Sequence, residues 1–202
     1  MRAGMTFAEY IDIFDTLSLD MYYRTDTHWR QETLGETAAA IAAAMGASLP
    51  AEYETVDVSS TFRGVYAGQY ALPVEPDALR YLTNGTIASL RVYDYETGAE
   101  IPVYDLTLAA GRDGYEMFLS GTKALLTIEN PNAETDRELV IFRDSFGSSM
   151  APLLAQGYAK VTVVDIRYMA SALVARFVDL SQADDVLFLY STSVLNHSET
   201  IQ

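Results

Sequence analysis

Three short apolar runs punctuate the last third of the chain: Leu139-Val140-Ile141-Phe142, Val161-Thr162-Val163-Val164 and Val186-Leu187-Phe188-Leu189-Tyr190. Runs of this length without polar alternation suit strands buried on both faces, as in a parallel sheet. Helical patterning separates them, from Ser148 to Gln156 before Gly157 and again over residues 169 to 180. Strand, helix, strand, helix, strand predicts parallel crossovers. Upstream, Leu34, Ala38, Ile41, Ala42 and Met45 recur at helical spacing among alanines, with Gly46 as a C-cap and Pro50 forbidding continuation. Residues 7 to 20 mix apolar and acidic positions and predict a short helix, and Met21-Tyr22-Tyr23 reads as a short strand-like run.

The middle of the chain, about 51–130, has a different texture. Tyrosines and β-branched residues alternate with Gly64, Gly68, Pro73, Pro76, Gly98, Pro102, Gly111 and Gly114, which predicts short strands and loops in an inserted or peripheral β-rich region. Asn84-Gly85 predicts a hairpin turn. The whole pattern is that of one α/β domain over 1–202 carrying this insertion.

Composition narrows the function classes. A length of 202 residues, half of them apolar, is enough for a real core. No apolar run approaches the roughly 18 to 20 residues of a membrane span. The opening Met1-Arg2-Ala3-Gly4-Met5 lacks the apolar stretch of a signal peptide. A formal net charge of −15 repels phosphate backbones, so nucleic acid is not an expected partner. With no cysteine in the sequence, disulfides, thiolate zinc sites and a cysteine nucleophile are excluded. No glycine-rich phosphate loop or dinucleotide fingerprint is present, and no cofactor is expected.

Chemistry concentrates at two places. Ser145, in Arg143-Asp144-Ser145-Phe146-Gly147, follows the first apolar strand and precedes a helix. Ligands in open α/β sheets bind outside the carboxyl ends of strands, and a serine there is exposed beside backbone N–H groups, such as those of Ser145 and Gly147, able to receive an oxyanion. The bland alternative is that Asp144, Ser145 or Ser148 only caps the helix. A serine hydroxyl needs a base. Of the two histidines, His28 lies two residues after Asp26, and His197 sits in what reads as a fraying tail. Asp-x-His in a loop lets the carboxylate accept from Nδ1–H while Nε2 faces a serine. Zinc held by Asp26, His28 and a further carboxylate is a weaker alternative, because no second ligand has a telling spacing. Trp29 either walls a pocket beside His28 or anchors the following helix. Tyr66, Tyr70, Tyr81, Tyr93, Tyr95 and Tyr104 either pack on sheets or offer stacking surfaces for sugar rings.

Tyr22-Tyr23-Arg24-Thr25-Asp26-Thr27-His28-Trp29 with Gly35, Arg143 to Ser149 with Pro152-Leu153-Leu154, Val164 to Tyr168, Phe62-Arg63-Gly64 and Tyr115 to Gly121 together resemble the DHHW protein family. That family is similar to the SGNH-like domains of bacterial polysaccharide O-acetylation proteins, in which the Asp-x-His motif precedes the serine, as it does here. The resemblance implies an SGNH-hydrolase-like (flavodoxin-like) three-layer parallel sheet. It implies Ser145 as nucleophile, His28 as base and Asp26 as orienting acid, with Gly147, Thr122, Arg167 and Trp29 as candidate oxyanion or pocket residues. The expected activity is that of a serine acyl hydrolase or O-acyltransferase on an acylated glycan or small ester, in an extracytoplasmic protein that is secreted or membrane-tethered through a further segment. Departures are Thr27 for the family's first histidine, Arg143 for a glycine, and Thr122 where an asparagine donor is expected. A catalytically weakened carbohydrate-binding or scaffold domain is the alternative. Arg167 has its own alternative, an ion pair with Asp165.

Overall fold

The computed structural model describes residues 8–70 and 73–197, so the leader reading of residues 1–5 lies outside the described residues. In chain order the elements are α1 (Gly35–Ala44), β1 (Glu54–Phe62), α2 (Val65–Tyr70), β2 (Asp77–Thr83), α3 (Gly85–Ser89), β3 (Arg91–Asp94) and β4 (Ala99–Ile101). Then follow β5 (Leu125–Glu129), β6 (Glu138–Arg143), α4 (Phe146–Leu154), β7 (Lys160–Val164), α5 (Ser171–Val174), β8 (Asp185–Leu189) and α6 (Thr192–Asn196). Among the described residues the main sheet has six strands in the order β4-β3-β5-β7-β6-β8.

The three apolar runs form its parallel part, with β6 paired in parallel to β7 on one side and β8 on the other. In β6 and β7 the lack of alternation is explained by burial on both faces, whereas β8, at the edge of the sheet, leaves Val186 and Phe188 exposed. Leu139 and Ile141 of β6 join one core with Leu126, Ile128, Val161, Val163 and the α1 and α4 side chains. Val140 and Phe142 join a second with Leu125, Val164, Val174 and Val178. The α/β fold read from the pattern is therefore borne out, and the sheet is mixed: β5 runs antiparallel to β7, and β3 antiparallel to β5 and β4.

This arrangement locates the site. From β6 the chain crosses by α4 on the first face to β7, then returns past β6, by α5 on the second face, to β8. The two crossovers, α4 between β6 and β7 and α5 between β7 and β8, lie on opposite faces of the sheet, and ligands in open α/β sheets bind outside the carboxyl ends of the strands at such reversals. Ser145 follows that end directly.

Several local expectations are corrected. The β-rich stretch divides: β1 and β2 form a separate antiparallel pair, whereas β3, β4 and β5 extend the main sheet. Asn84-Gly85 makes no hairpin. The Asn84 side chain accepts the Ile87 N–H at 3.0 Å and caps α3, so side-chain capping overrides the turn propensity. The helix expected over 169 to 180 shrinks to the single turn of α5, because only Val174 and Val178 find a core while Leu173, Phe177 and Leu180 stay exposed. Over 7 to 20 there are two short 3₁₀ turns, Phe14–Thr16 and Leu19–Met21, with no buried side chain to sustain a longer helix. His197 is no loose tail residue: it follows α6, its Nδ1 2.9 Å from the Ser193 carbonyl. α1 ends as predicted, with Gly46 at φ +72 and Arg137 donating to the Met45 and Gly46 carbonyls just beyond the helix at 2.7 and 2.8 Å.

Ile141, fully buried on β6, tests this account. Ile141→Ala leaves a cavity and is expected to cost about 2–5 kcal/mol, read as a lower urea midpoint at unchanged slope.

Candidate active site

A short loop, two strand ends and a helix N-terminus build the site. The loop from Arg24 to Trp29 doubles back on itself, with Tyr22 bridging Trp29 and the Tyr23 N–H donating to the His28 carbonyl at 3.1 Å. Asp77, at the start of β2, pins it: Oδ2 accepts both the Thr25 N–H (2.8 Å) and the Thr25 hydroxyl (2.7 Å). Gln31, fully buried, ties the next turn to α4 and β2 by donating to the Ser149 carbonyl (2.7 Å) and accepting from the Leu82 N–H (3.0 Å).

Asp26 is buried yet fully supplied with donors. Oδ1 accepts the His28 N–H at 3.0 Å and lies 2.5 Å from His28 Nδ1, and Oδ2 accepts the Val65 N–H at 2.9 Å. Burial opposes its ionisation, but the His28 side chain and the two backbone N–H groups outweigh burial and hold its pKa below the ordinary carboxyl value. Gly64 makes this proximity possible, since a Cβ there would stand 2.2 Å from both Asp26 Cβ and Oδ2. An ionised carboxylate only accepts, so Nδ1 of His28 carries the proton. In the neutral ring Nε2 then has a lone pair to receive the Ser145 hydroxyl, 2.7 Å away. The loop and the Ser145 turn thus meet in one chain of hydrogen bonds from Asp26 through His28 to Ser145, the last two 117 positions apart in sequence.

The Ser145 turn is itself braced. Buried Asp144 accepts the Phe146 N–H on Oδ1 (3.0 Å) and the Ser191 N–H on Oδ2 (2.7 Å), joining α4 to the loop after β8. The Gly147 N–H donates to the Asp144 carbonyl at 3.0 Å, so this amide is committed within the turn rather than offered to a ligand. The glycine is needed for a different contact, because a Cβ at 147 would lie 2.5 Å from Arg143 Cβ. Arg143, buried, stands 3.6 Å from Asp165, and its Nε has no partner among the described residues. Desolvation lowers its pKa against the pull of Asp165.

The remaining candidates spread out. Arg167 pairs with Asp165 through Nε (2.9 Å) and Nη2 (2.6 Å), which is the ion-pair alternative. Trp29 is buried, donates to Ser149 Oγ at 2.8 Å and packs edge-on to Phe146, so it anchors the core. Thr122 is exposed, just after Leu119, Ser120 and Gly121, three successive residues at positive φ (55, 54 and 81). Thr27 has its hydroxyl 3.3 Å from His28 Nδ1. The sequence reading passed over Phe146, tilted against the imidazole at 5.0 Å, and Tyr115, stacked on it at 3.8 Å. No local pattern marks such ring contacts, because they join distant segments.

The fold has solved counterparts. No protein-family model matches the chain, and no curated protein does. A DHHW family protein from Eubacterium siraeum superposes with a TM-score of 0.70 at 23% identity, over 90% of this chain and 61% of that one. Bacillus cereus PatB1 superposes with a TM-score of 0.69 at 25% identity, over 87% of this chain and 64% of PatB1. PatB1 bearing a sulfonyl adduct gives a TM-score of 0.68 at 23% identity, over 87% of this chain and 62% of that one. The likeness read from the sequence is borne out in the fold: the chain is built as the DHHW family protein and PatB1 are built. It spans 61–64% of the length of those solved chains.

Two outcomes test the electrostatics of the loop. Gly64→Ala forces Asp26 away from His28, and the far-downfield proton NMR signal expected for a hydrogen-bonded Nδ1–H should disappear. Because the folded-state pKa of Asp26 is depressed, its ionised form stabilises the fold above the ordinary carboxyl range. That stability is lost as pH falls from there through the lower folded value. Asp26→Asn should therefore lower stability at neutral pH and flatten the loss on acidification, as followed by urea unfolding.

Proposed function

We propose that this chain is a serine acyl hydrolase or O-acyltransferase of SGNH-like type, acting on an O-acyl ester. The observation that carries the reading is the 2.7 Å approach of His28 Nε2 to Ser145 Oγ, with Asp26 behind Nδ1. Ser145 Oγ attacks the acyl carbonyl while His28 Nε2 takes its proton. The carbonyl electrons move to oxygen and form a tetrahedral oxyanion. As that intermediate collapses, the imidazolium returns the proton to the leaving alcohol and the acyl group stays on Ser145. Water or a sugar hydroxyl, deprotonated in turn by His28, then takes the acyl group and frees the serine. Asp26 fixes the tautomer and stabilises the imidazolium, without taking the proton itself.

The resemblance to polysaccharide O-acetylation domains supports a cell-envelope glycan as the ester or acceptor and an extracytoplasmic location. Among the described residues no helix is long and apolar enough to cross a membrane.

A second reading is a domain of the same fold with weakened catalysis, retained for binding or as a scaffold. It is favoured by the oxyanion donors. The Phe146 and Gly147 N–H groups are taken by Asp144, and Thr122 stands exposed where an amide donor was expected, which leaves the Ser145 N–H as the candidate donor on this turn. One missing donor costs about 10²–10³-fold in rate.

Both readings meet the same experiment. The active-enzyme reading expects cleavage of p-nitrophenyl acetate and covalent labelling by a sulfonyl fluoride or fluorophosphonate. Ser145→Ala should remove the label and lower turnover by about 10³-fold or more. A folded wild type that neither turns over nor labels would establish the second reading.

A further inference from the structure

The imidazole of His28 rests on one aromatic face. The Tyr115 ring lies parallel to it, with 6° between planes and 3.8 Å between centroids. Acyl transfer as set out above makes no use of this ring, yet the fold fixes it from two sides. Its hydroxyl donates to Ser149 Oγ at 2.8 Å, and its backbone N–H donates to Asp113 Oδ1 at 3.1 Å. The same Ser149 Oγ receives Trp29 Nε1–H at 2.8 Å and donates to the Phe146 carbonyl at 3.3 Å. One buried hydroxyl on α4, a turn beyond Ser145, thus joins the ring under His28 to the residue after His28 in the chain.

We propose that Tyr115 is a positioning residue whose π face holds the His28 ring in plane between Asp26 and Ser145 and stabilises it as a cation while it carries the serine proton. The inference rests on the reading of Ser145 as nucleophile. The face of an aromatic ring bears the negative lobe of its quadrupole, so it attracts a cation placed above it and does so more strongly where water is excluded. Tyr115 is buried, and so is His28. A neutral imidazole gains only dispersion from this contact, whereas the imidazolium gains the electrostatic part as well. The contact therefore favours the transition state over the ground state, which is the condition for raising kcat. Burial pushes the Tyr115 phenol far above its usual range, so the ring stays neutral while His28 cycles.

Other charged groups surround the imidazole and define what a substitution at 115 leaves unchanged. Asp26 holds Nδ1, and Asp113 carries a carboxyl whose pKa is raised by burial and by the Asp26 charge and lowered by His28. Asp144 acts on Tyr115 from the nucleophile turn, and Tyr23 adjoins Asp26. None of these is removed by changing Tyr115.

The test compares Tyr115→Phe, which keeps the π face and loses the Ser149 bond, with Tyr115→Leu, which keeps bulk and loses the face. For p-nitrophenyl acetate, kcat/KM is followed from about pH 5 to about pH 9, spanning the range in which histidine changes charge. Tyr115→Phe should stay within about threefold of wild type, with the acid limb unmoved. Tyr115→Leu should lose about 30-fold on the plateau, the size of a buried cation–π contact, and its acid limb should move to lower pH because the cation has lost support. A purely structural role lowers the plateau and leaves the limb in place. Should Tyr115→Leu not fold, a series of fluorinated phenylalanines at 115 withdraws charge from the ring face at nearly constant shape, and activity should fall with each added fluorine. An active wild type whose leucine variant or fluorinated series matches Tyr115→Phe in both plateau and limb overturns this inference alone. A folded wild type that neither labels nor turns over overturns the serine reading and this inference with it.

Discussion

A carboxylate can be kept charged inside a protein only if its oxygens are surrounded by donors, and the architecture around Asp26 follows from that condition. Its own loop supplies the His28 N–H and ring N–H, and the junction of β1 and α2 supplies the Val65 N–H. To bring the junction that close, residue 64 must have no side chain. To bring the loop that close, Thr25 must be pinned to Asp77 from β2. The β1–β2 pair, which stands apart from the main sheet, therefore serves as a bracket for the acid end of the site.

The serine end is held by different means. Here the sheet does the positioning, because β6 lies between two parallel neighbours and the helices that follow it leave on opposite faces. Asp144 extends the hold by binding both its own turn and the loop beyond β8. The Arg143 side chain, which replaces a glycine of related serine blocks, is accommodated in the interior between Gly147 and Asp165. Burying a guanidinium this way is costly unless it is paired, and Asp165 serves both Arg143 and Arg167.

How much of this could be read from the chain depended on the range of the interactions. Strands β6 and β7 were legible because burial on both faces writes an unbroken apolar run into consecutive residues, and β8 carries a run of the same kind although Val186 and Phe188 are exposed. Asp26, His28 and Ser145 were legible because each sits in a short motif at an element end. What failed depended on surroundings: residues 169 to 180 carry a helical period, but the neighbouring core accommodates only Val174 and Val178. Asn84 could serve a hairpin or a cap, and a short helix downstream decided for the cap. Trp29 was left between two roles until Ser149 supplied a partner for its indole N–H. Tyr115 and Ser149 each lie in a block that carries the family resemblance, but their contact was invisible, since 34 positions separate them and nothing in either block marks the other as its partner.

The distance along the chain between the two halves of the site also constrains how the protein comes into being. During synthesis Asp26 and His28 emerge long before Ser145, which lies 117 positions after His28, and the stretch between them includes both the β1–β2 bracket and β5. Closing so long a loop is entropically slow, and it gains its reward only when β6 is seated between its neighbours. The imidazole therefore meets its serine only in chains whose central sheet is assembled, and an amino-terminal fragment stopping short of β6 holds Asp26 and His28 without Ser145. The His28–Ser145 hydrogen bond is accordingly a marker of completed folding, absent from partly built molecules that still scatter light or show helix in circular dichroism.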